Sequence, residues 1–390
     1  MPAPVINPLF LGVTRFQMPL PESTRKKFEA LSQIGTISVV GFREGFGFKR
    51  YTQAANFYLL PNVPRGACSY LFLSTVGFAV TVCLLIKRSA NVVVAQSPYE
   101  GVAGVFAVGL ARAFGRKAAL VVESHGDFEN ALFLYRKTWF SRVHRIVMKY
   151  VAAFSIRRAH ALRSVSIFTG NQLKSCNSTK PTFQFPAWTD LDVFMKAFGH
   201  RSPDADARVL FVGVLAPVKG VHDLLNAFKL VAADLANTTL SIVGESRTGK
   251  YLAELHELTK RLNIDDRVEF LGYQPQNEVA NCMKRASVLV VPSLSEGFGR
   301  VILEGMAAGV PVVATNAGGI GELISDGVTG FLVEVRNQRM LAEAILRVIK
   351  DTSTAAVMAQ RARGRVIDVF SKERYVASYH QLLVNALRAI

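Results

Sequence analysis

At 390 residues the chain is too long for one core of ordinary size and suits two domains. Half of its residues are hydrophobic, 26 are Phe and only 19% are charged, which excludes disorder as the dominant state. The formal charge of +17 is lopsided: residues 1–200 hold 24 Lys/Arg against 9 Asp/Glu, and residues 201–390 hold 22 against 20.

Such a basic half suits nucleic acid, an anionic membrane or a polyanionic substrate, and charge alone does not choose among them. Cys68, Cys83, Cys176 and Cys282 show no metal-ligand spacing and the seven His are scattered, so no zinc site and no disulfide framework are expected. The N-terminus lacks the basic and apolar regions of a signal peptide, and a cytoplasmic setting is expected.

Short β-rich runs alternate with helical patterns, which predicts an α/β protein built on mainly parallel sheets. Predicted strands of the first half are Leu9–Val13, Thr36–Phe42, Asn91–Ala95, Ala118–Glu123 and Ala161–Ser166, with helices over Ser23–Ser32, Gly101–Phe114 and Phe140–Arg158. From Gly66 to Ile86, between Arg65 and Lys87, no residue carries a formal charge. That length is enough to cross a bilayer, but Ser69, Ser74, Thr75 and Thr81 weaken insertion. A buried helix is the favoured reading; a span or a dip into one leaflet stays open.

In the helix ending at Arg158, Arg142, Arg145, Lys149 and Arg157 fall within about a third of the circumference at ~100° per residue. Val143, Val147, Tyr150 and Phe154 share the adjacent face, and Trp139 and Phe140 precede it. This pattern suits either a half-buried helix with a solvated face or one docked on an anionic membrane surface.

Residues 199–207 read as a linker. Beyond it come four strand-loop-helix passages: Val209–Val212 before Val221–Ala233, Thr239–Val243 before Lys250–Leu262, Val268–Leu271 before Asn277–Arg285, and Val288–Val291 before Gly299–Ala308, closed by Pro311–Ala314. They describe a doubly wound sheet, in which ligands bind beyond the carboxyl ends of the strands.

The most informative passage runs from Val290 to Thr315. A buried strand ends at Pro292, a loop carrying Gly297 and Gly299 turns, and a helix opens near Phe298 or Gly299. Its first N–H groups lack intrahelical acceptors, so the two glycines leave room for a phosphate there. Glu296 stands just before the helix, and Glu304 lies ~7–8 Å along its axis from Gly299, about the reach from a diphosphate to the ribose of the same nucleotide. Taken singly, Glu296 also reads as an acid favoured by the helix dipole and Glu304 as a solvated helix residue. Lys219 taken alone reads first as a surface charge, and its place at the carboxyl end of a strand reverses that; Gly213 and Gly244 alone read as simple turns.

Glu296, seven residues, then Glu304 resembles the Glu-x7-Glu signature of retaining GT-B glycosyltransferases of the GT4 type, the glycosyl transferases group 1. The likeness extends through Gly318-Gly-Ile-Gly-Glu322 and Asp326-Gly-Val-Thr-Gly-Phe331, and upstream through Phe211-Val-Gly-Val-Leu-Ala-Pro-Val-Lys-Gly220, covering nearly all of residues 208–335. The resemblance implies two Rossmann-like domains facing a central cleft: residues 1–198 for the acceptor and 199–370 for the nucleotide sugar. The final helix, 371–390, is then expected to pack back on the first domain.

By the same resemblance Glu296 holds hydroxyls of the donor sugar, Phe298 and Gly299 offer amides to the diphosphate, Glu304 binds ribose and Lys219 neutralises the leaving group. Gly213 and Gly244 let the chain approach the nucleotide, whose base lies near Gly272 and Tyr273. Ala118-Ala-Leu-Val-Val-Glu-Ser-His-Gly-Asp127 resembles the element that sets a His, here His125, against the transferred sugar; by themselves His125 and Asp127 also read as a hydrogen-bonded loop and a cap.

There are departures. Val214 stands where the family usually has an Arg that shares the diphosphate, which leaves Arg300 or Arg247 to replace that cation. Phe185-Pro-Ala-Trp-Thr-Asp-Leu-Asp-Val-Phe194 resembles the family's interdomain element, with Ala187-Trp188 in place of Asn-Gly. Thr14-Arg-Phe-Gln-Met-Pro-Leu-Pro21 replaces the usual Gly-Gly loop.

The function expected is a retaining, metal-independent transfer of a hexose from a nucleotide diphosphate sugar, with no other cofactor, to a glycan or lipid-linked hydroxyl acceptor. The expected place is cytoplasmic, peripheral on the inner face of the cytoplasmic membrane. A phosphorylase or epimerase using the same cleft, or a membrane-associated protein with a degenerate sugar site, are the alternatives. The basic half contains no nucleic-acid-binding motif, so nucleic acid is not an expected partner.

Overall fold

A computed structural model describes residues 5–128, 141–176, 179–199, 206–246 and 249–390. Among these, residues up to 128, those between 141 and 188 and those from 371 onward form one compact unit, and residues 189–370 form another.

The first unit holds β1 (Pro8–Phe16), β2 (Ser38–Arg43), β3 (Lys49–Gln53), β4 (Ala55–Leu60), β5 (Val92–Ala95), β6 (Ala119–Ser124), β7 (Ala161–Ser164) and β8 (Thr182–Gln184). Their order is β3-β4-β2-β1-β5-β6-β7-β8, and every neighbouring pair is parallel except β3–β4. β5 is buried along its whole length, as a parallel strand covered on both faces requires, and its continuous Val-Val-Val-Ala run reflects that. One face packs under Phe28 and Leu31 of the first helix and Tyr379, Leu382 and Leu383 of the C-terminal helix Lys372–Arg388. The other is covered by Leu84, Ala107 and Ile156 from three further helices.

The β3–β4 hairpin is an addition to the predicted strands. Its turn is made by Ala54 in the left-handed region (φ 56°), without the Asn-Gly or Gly signal that marks such turns.

The apolar segment Ala67–Ile86 is helical throughout, with a π-helical stretch over Leu73–Gly77, and is long and apolar enough to cross a membrane. The expectation of a buried helix is corrected on one side: Leu73, Leu84 and Leu85 enter the core, whereas Leu71 and Val76 are exposed. The helix Ser141–Arg158 buries Ala152, Ala153 and Ile156, and exposes Val143, Ile146, Val147 and Tyr150. Trp139, Phe140 and the side chain of Arg142 lie outside the described residues.

The second unit holds β9 (Ala207–Val212), β10 (Thr238–Val243), β11 (Val268–Gly272), β12 (Val288–Val291), β13 (Val312–Thr315) and β14 (Phe331–Val333), in the order β11-β10-β9-β12-β13-β14 and all parallel. The chain builds outward from β9 through β10 and β11, then returns to the other side of β9 with β12. The switch point therefore falls between β9 and β12, where the two following loops diverge and leave a crevice. β1 and β5 make the same switch in the first unit.

The unit boundary departs from the expected 198/199. Residues 189–198 belong with the second unit, where the helix Asp192–Lys196 packs on the helices Gln276–Arg285 and Arg300–Ala307 and Gln276 Nε2 donates to the Asp190 carbonyl (3.1 Å). Of the expected linker, residues 200–205 lie outside the described residues. The C-terminal helix packs on β5, β6 and β7 of the first unit.

Candidate active site

The loops after β9 and β12 flank the switch point of the second unit. The β9 loop passes through Gly213, Val214 and a short 3-10 turn, Pro217–Lys219, before the helix Val221–Asp234. Gly220 ends that turn at φ 69°, and a Cβ on it would lie 1.9 Å from the Pro292 carbonyl oxygen. Only glycine allows the β9 loop to lie this close to the end of β12. The Leu294 N–H donates to the Val218 carbonyl (2.7 Å), which ties the loops together.

This stitching brings Lys219 Nζ onto Glu296 Oε2 as a hydrogen-bonded ion pair, with side chains 25% and 19% exposed. Gly318, at φ 57°, lies so close to the Glu296 backbone that a Cβ would stand 2.1 Å from its carbonyl oxygen, and the Gly319 N–H donates to that oxygen (2.9 Å). The Gly318-Gly319 pair thus fixes the backbone that carries Glu296.

Beyond Glu296, Gly297 and Phe298 are buried, and Gly299 (φ 89°) caps the helix Arg300–Ala307. Phe298 packs on Phe370, which anchors the helix start. Arg300 is exposed in the first turn, and Glu304, one turn on, is half-buried. Burial pushes the Glu304 carboxyl up, against the pull of Arg300.

The ends of β9, β10 and β11 are laced by backbone bonds: the Gly213 N–H donates to the Val243 carbonyl (2.9 Å) and the Gly244 N–H to the Gly272 carbonyl (2.8 Å). Tyr273 follows on the outermost strand with its side chain 70% exposed. Gly213, Lys219, Gly244, Glu296, Gly297, Phe298, Gly299, Arg300 and Glu304 thus share the carboxyl edge of one sheet, and Tyr273 stands at its margin. Val214 is exposed on the β9 loop. Of the two cations considered for its missing partner, Arg300 stands at the helix start and Arg247 lies outside the described residues.

In the first unit, His125 follows β6, and its Nε2 lies 2.7 Å from Glu123 Oε2. Glu123 is buried at the end of β6, in register with Arg163 on β7, whose Nη1 stands 3.1 Å from Glu123 Oε1. Tyr379 of the C-terminal helix donates its hydroxyl to the same Oε1. Burial alone would raise the Glu123 carboxyl, but Arg163 and His125 hold it well below the usual range. Asp127 is buried and accepts from Gln172 Nε2 (2.6 Å).

Glu123, Arg163 and Tyr379 carry no site signal in the sequence, because their pairing depends on strand register and on the docking of the last helix. Glu100, after β5, carries none either. This carboxylate accepts from the Val13 N–H (2.8 Å), its second oxygen is buried without a partner, and burial raises it to about 7. Among the described residues no three His, Cys, Asp or Glu side chains group as a metal-ligand set.

Residues 195–365 match the family described as glycosyl transferases group 1. N-acetyl-alpha-D-glucosaminyl L-malate synthase of Bacillus anthracis is 32% identical over 199 residues, 51% of this chain and 50% of that protein. Glycogen synthase of Mycobacterium tuberculosis is 30% identical over 251 residues, 61% of this chain and 60% of that protein. The chain thus spans about half the length of the curated relatives it matches. Among solved structures, sucrose-phosphate synthase from Thermosynechococcus elongatus superposes with a TM-score of 0.78 at 21% identity, covering 98% of this chain and 100% of that one. Anabaena HepE in complex with UDP-glucose gives 0.74 at 22%, covering 99% and 100%. Residues 195–365 are thus similar to the glycosyl transferases group 1, and the chain has the GT-B fold of its structural neighbours.

Proposed function

We propose that this protein transfers a hexose from a nucleotide diphosphate sugar to a hydroxyl acceptor, with retention of configuration and without a metal ion. The observation that carries the reading is Lys219 meeting Glu296 at the switch point of the second sheet, beside the start of the helix Arg300–Ala307. A lysine and a helix N-terminus supply the positive charge that a diphosphate leaving group needs, and a carboxylate beside them accepts hydrogen bonds from sugar hydroxyls. Glu304 is spaced to reach a ribose. That Anabaena HepE was solved with UDP-glucose supports a donor of this chemical class.

The acceptor we propose is a glycan or lipid-linked precursor at the inner face of the cytoplasmic membrane. Supporting it, the helices within 67–86, 101–113 and 141–158 pack side by side over one face of the first sheet. The rings of Phe106 and Phe154 meet across two of them at 5.8 Å. Leu71, Phe106, Leu110, Ile146 and Tyr150 are exposed on these helices together with Lys149, Arg157 and Arg158. Apolar side chains among lysines and arginines suit an anionic lipid surface.

The test is product analysis by mass spectrometry from a panel of nucleotide sugars with membrane lipid extract. Transfer by the wild type and its loss in Glu296→Ala and Lys219→Ala is expected; full activity in both variants would sink the assignment. Salt-sensitive sedimentation with phosphatidylglycerol vesicles, but not with neutral ones, is expected of the membrane reading, and equal sedimentation with both contradicts it.

A further inference from the structure

The loop between β2 and β3, residues 44–48, carries the most exposed large apolar side chain among the described residues. Phe46 is 94% exposed, and Phe48 beside it 53%. Large rings that stand together in water mark an interaction surface. The loop is held from beneath. Arg43 Nη1 donates to the Phe46 carbonyl (2.9 Å), and the Asn62 N–H donates to the Gly45 carbonyl (2.9 Å). Arg15 of β1 in turn donates to Asn62 Oδ1 and to the Val63 carbonyl. The tip is thereby tied to the segment that leads into the apolar helix Ala67–Ile86, where Leu71 is 68% exposed. Folding fixes the two rings without covering them.

The charge around the rings points to what covers them. From Phe42 to Arg65 the chain carries Arg43, Lys49, Arg50 and Arg65 against one acid, Glu44. Lys49, Arg50 and Arg65 are exposed, and Arg15 adds its guanidinium beside Asn62. A protruding apolar tip among cations fits the head-group layer of an anionic bilayer, which yields around a ring where a folded partner needs a matching pocket. Lys49 and Arg50 on the edge strand β3 oppose pairing with the same strand of a second copy. Nucleic acid would suit the cations and the rings, but it leaves the uncharged run from Gly66 to Ile86 without a partner.

Resting on the reading that the acceptor lies at a membrane, we infer that the loop 44–48 is a bilayer anchor of the first unit: Phe46 and Phe48 enter the head-group layer, and Lys49 and Arg50 meet lipid phosphates. The loop follows the carboxyl end of β2, which is paired in parallel with β1. The anchor therefore stands on the edge of the sheet where β1 and β5 diverge, the edge at which doubly wound sheets take their ligands. Held there, the first unit turns that edge to the lipid surface, so that a lipid-linked acceptor is met without being drawn out of the bilayer.

The experiment is sedimentation of the full chain with phosphatidylglycerol vesicles, comparing the wild type with the double variant Phe46→Ser/Phe48→Ser. Loss of the two rings should weaken vesicle binding by about 10-fold or more at an unchanged melting temperature. Lys49→Glu/Arg50→Glu should weaken it as well and flatten its salt dependence. Leu230→Ser, which removes an exposed apolar side chain of the second unit, should bind as the wild type does. Phe46→Trp reports insertion directly: its added emission should shift to the blue on the vesicles and be quenched by brominated phosphatidylglycerol. Wild-type affinity in Phe46→Ser/Phe48→Ser, an equal loss in Leu230→Ser, or an added emission that stays that of a ring in water overturns the anchor, while the membrane reading still stands on the helices within 67–86, 101–113 and 141–158. No sedimentation of the wild type overturns both. Self-association or oligothymidylate binding that the wild type shows and Phe46→Ser/Phe48→Ser loses overturns the anchor in favour of a second copy or a nucleic acid.

Discussion

Lys219 and Glu296, 77 residues apart in the chain, form an ion pair across the switch between β9 and β12. The pair is partly exposed and contributes no more than about 1 kcal/mol to stability. Its substitution therefore acts on binding and chemistry before it acts on folding. Glu296→Gln frees Lys219 of its charged partner: affinity for a nucleoside diphosphate should hold or rise, while sugar transfer falls by about 100-fold. Calorimetry and turnover on the same preparation separate the two effects, and a parallel loss of both contradicts the division of roles.

Arg300, exposed in the first turn of its helix, is our candidate to stand in for the arginine that the family resemblance expects at Val214. Arg300→Ala should weaken nucleoside diphosphate binding by about 10-fold, roughly one charge-assisted contact, and adding Val214→Arg should restore much of it. Arg339→Ala, an exposed arginine paired with Glu343, serves as the control. Equal affinities for Arg300→Ala and Arg339→Ala would show that the leaving group has no need of Arg300.

Glu100 makes stability depend on pH. Its folded carboxyl is raised to about 7 from an ordinary value of 4.5, so between those values the folded chain holds a proton that the unfolded chain releases. The stabilisation is complete below about pH 4.5 and is lost as pH rises through 7, in all about 3 kcal/mol. Glu100→Gln keeps an acceptor for the Val13 N–H and removes the titration. Its melting temperature should exceed that of the wild type at pH 8 and match it near pH 5, whereas the same difference at both pH values points to packing.

Gly220→Ala should destabilise the second unit by about 2 kcal/mol or more, since φ 69° is strained for alanine and the new methyl meets the Pro292 carbonyl oxygen. Denaturant unfolding measures the loss. Gly115→Ala, also at positive φ but with open space around its Cβ, should show only the backbone component and so a smaller effect.

Much of the second unit was legible in sequence because local rules act there without competition. Continuous Val and Leu runs make the central parallel strands, and glycine loops followed by helices make their connections. The Glu296 to Glu304 spacing survives folding as a loop acid and a helix acid at one sheet edge. The pairing of Lys219 with Glu296 was not legible, since it arises from β9 and β12 becoming neighbours. The same holds for Glu123, Arg163 and Tyr379, which meet only through the register of β6 with β7 and the return of the last helix. β3 and β4 were missed because Ala54 makes their turn. The segment 67–86 misled because apolar composition does not say which side of a helix the core covers.

Nucleoside diphosphate binding to the intact protein, titrated by calorimetry for wild type and Lys219→Ala without any acceptor, tests the central claim most directly. Saturable binding of at least one nucleoside diphosphate by the wild type is expected, weakened by 10-fold or more in Lys219→Ala (about 1.4 kcal/mol or more) with the fold intact. Binding of equal strength in both proteins, or none by the wild type across uridine, guanosine and adenosine diphosphates, would contradict it.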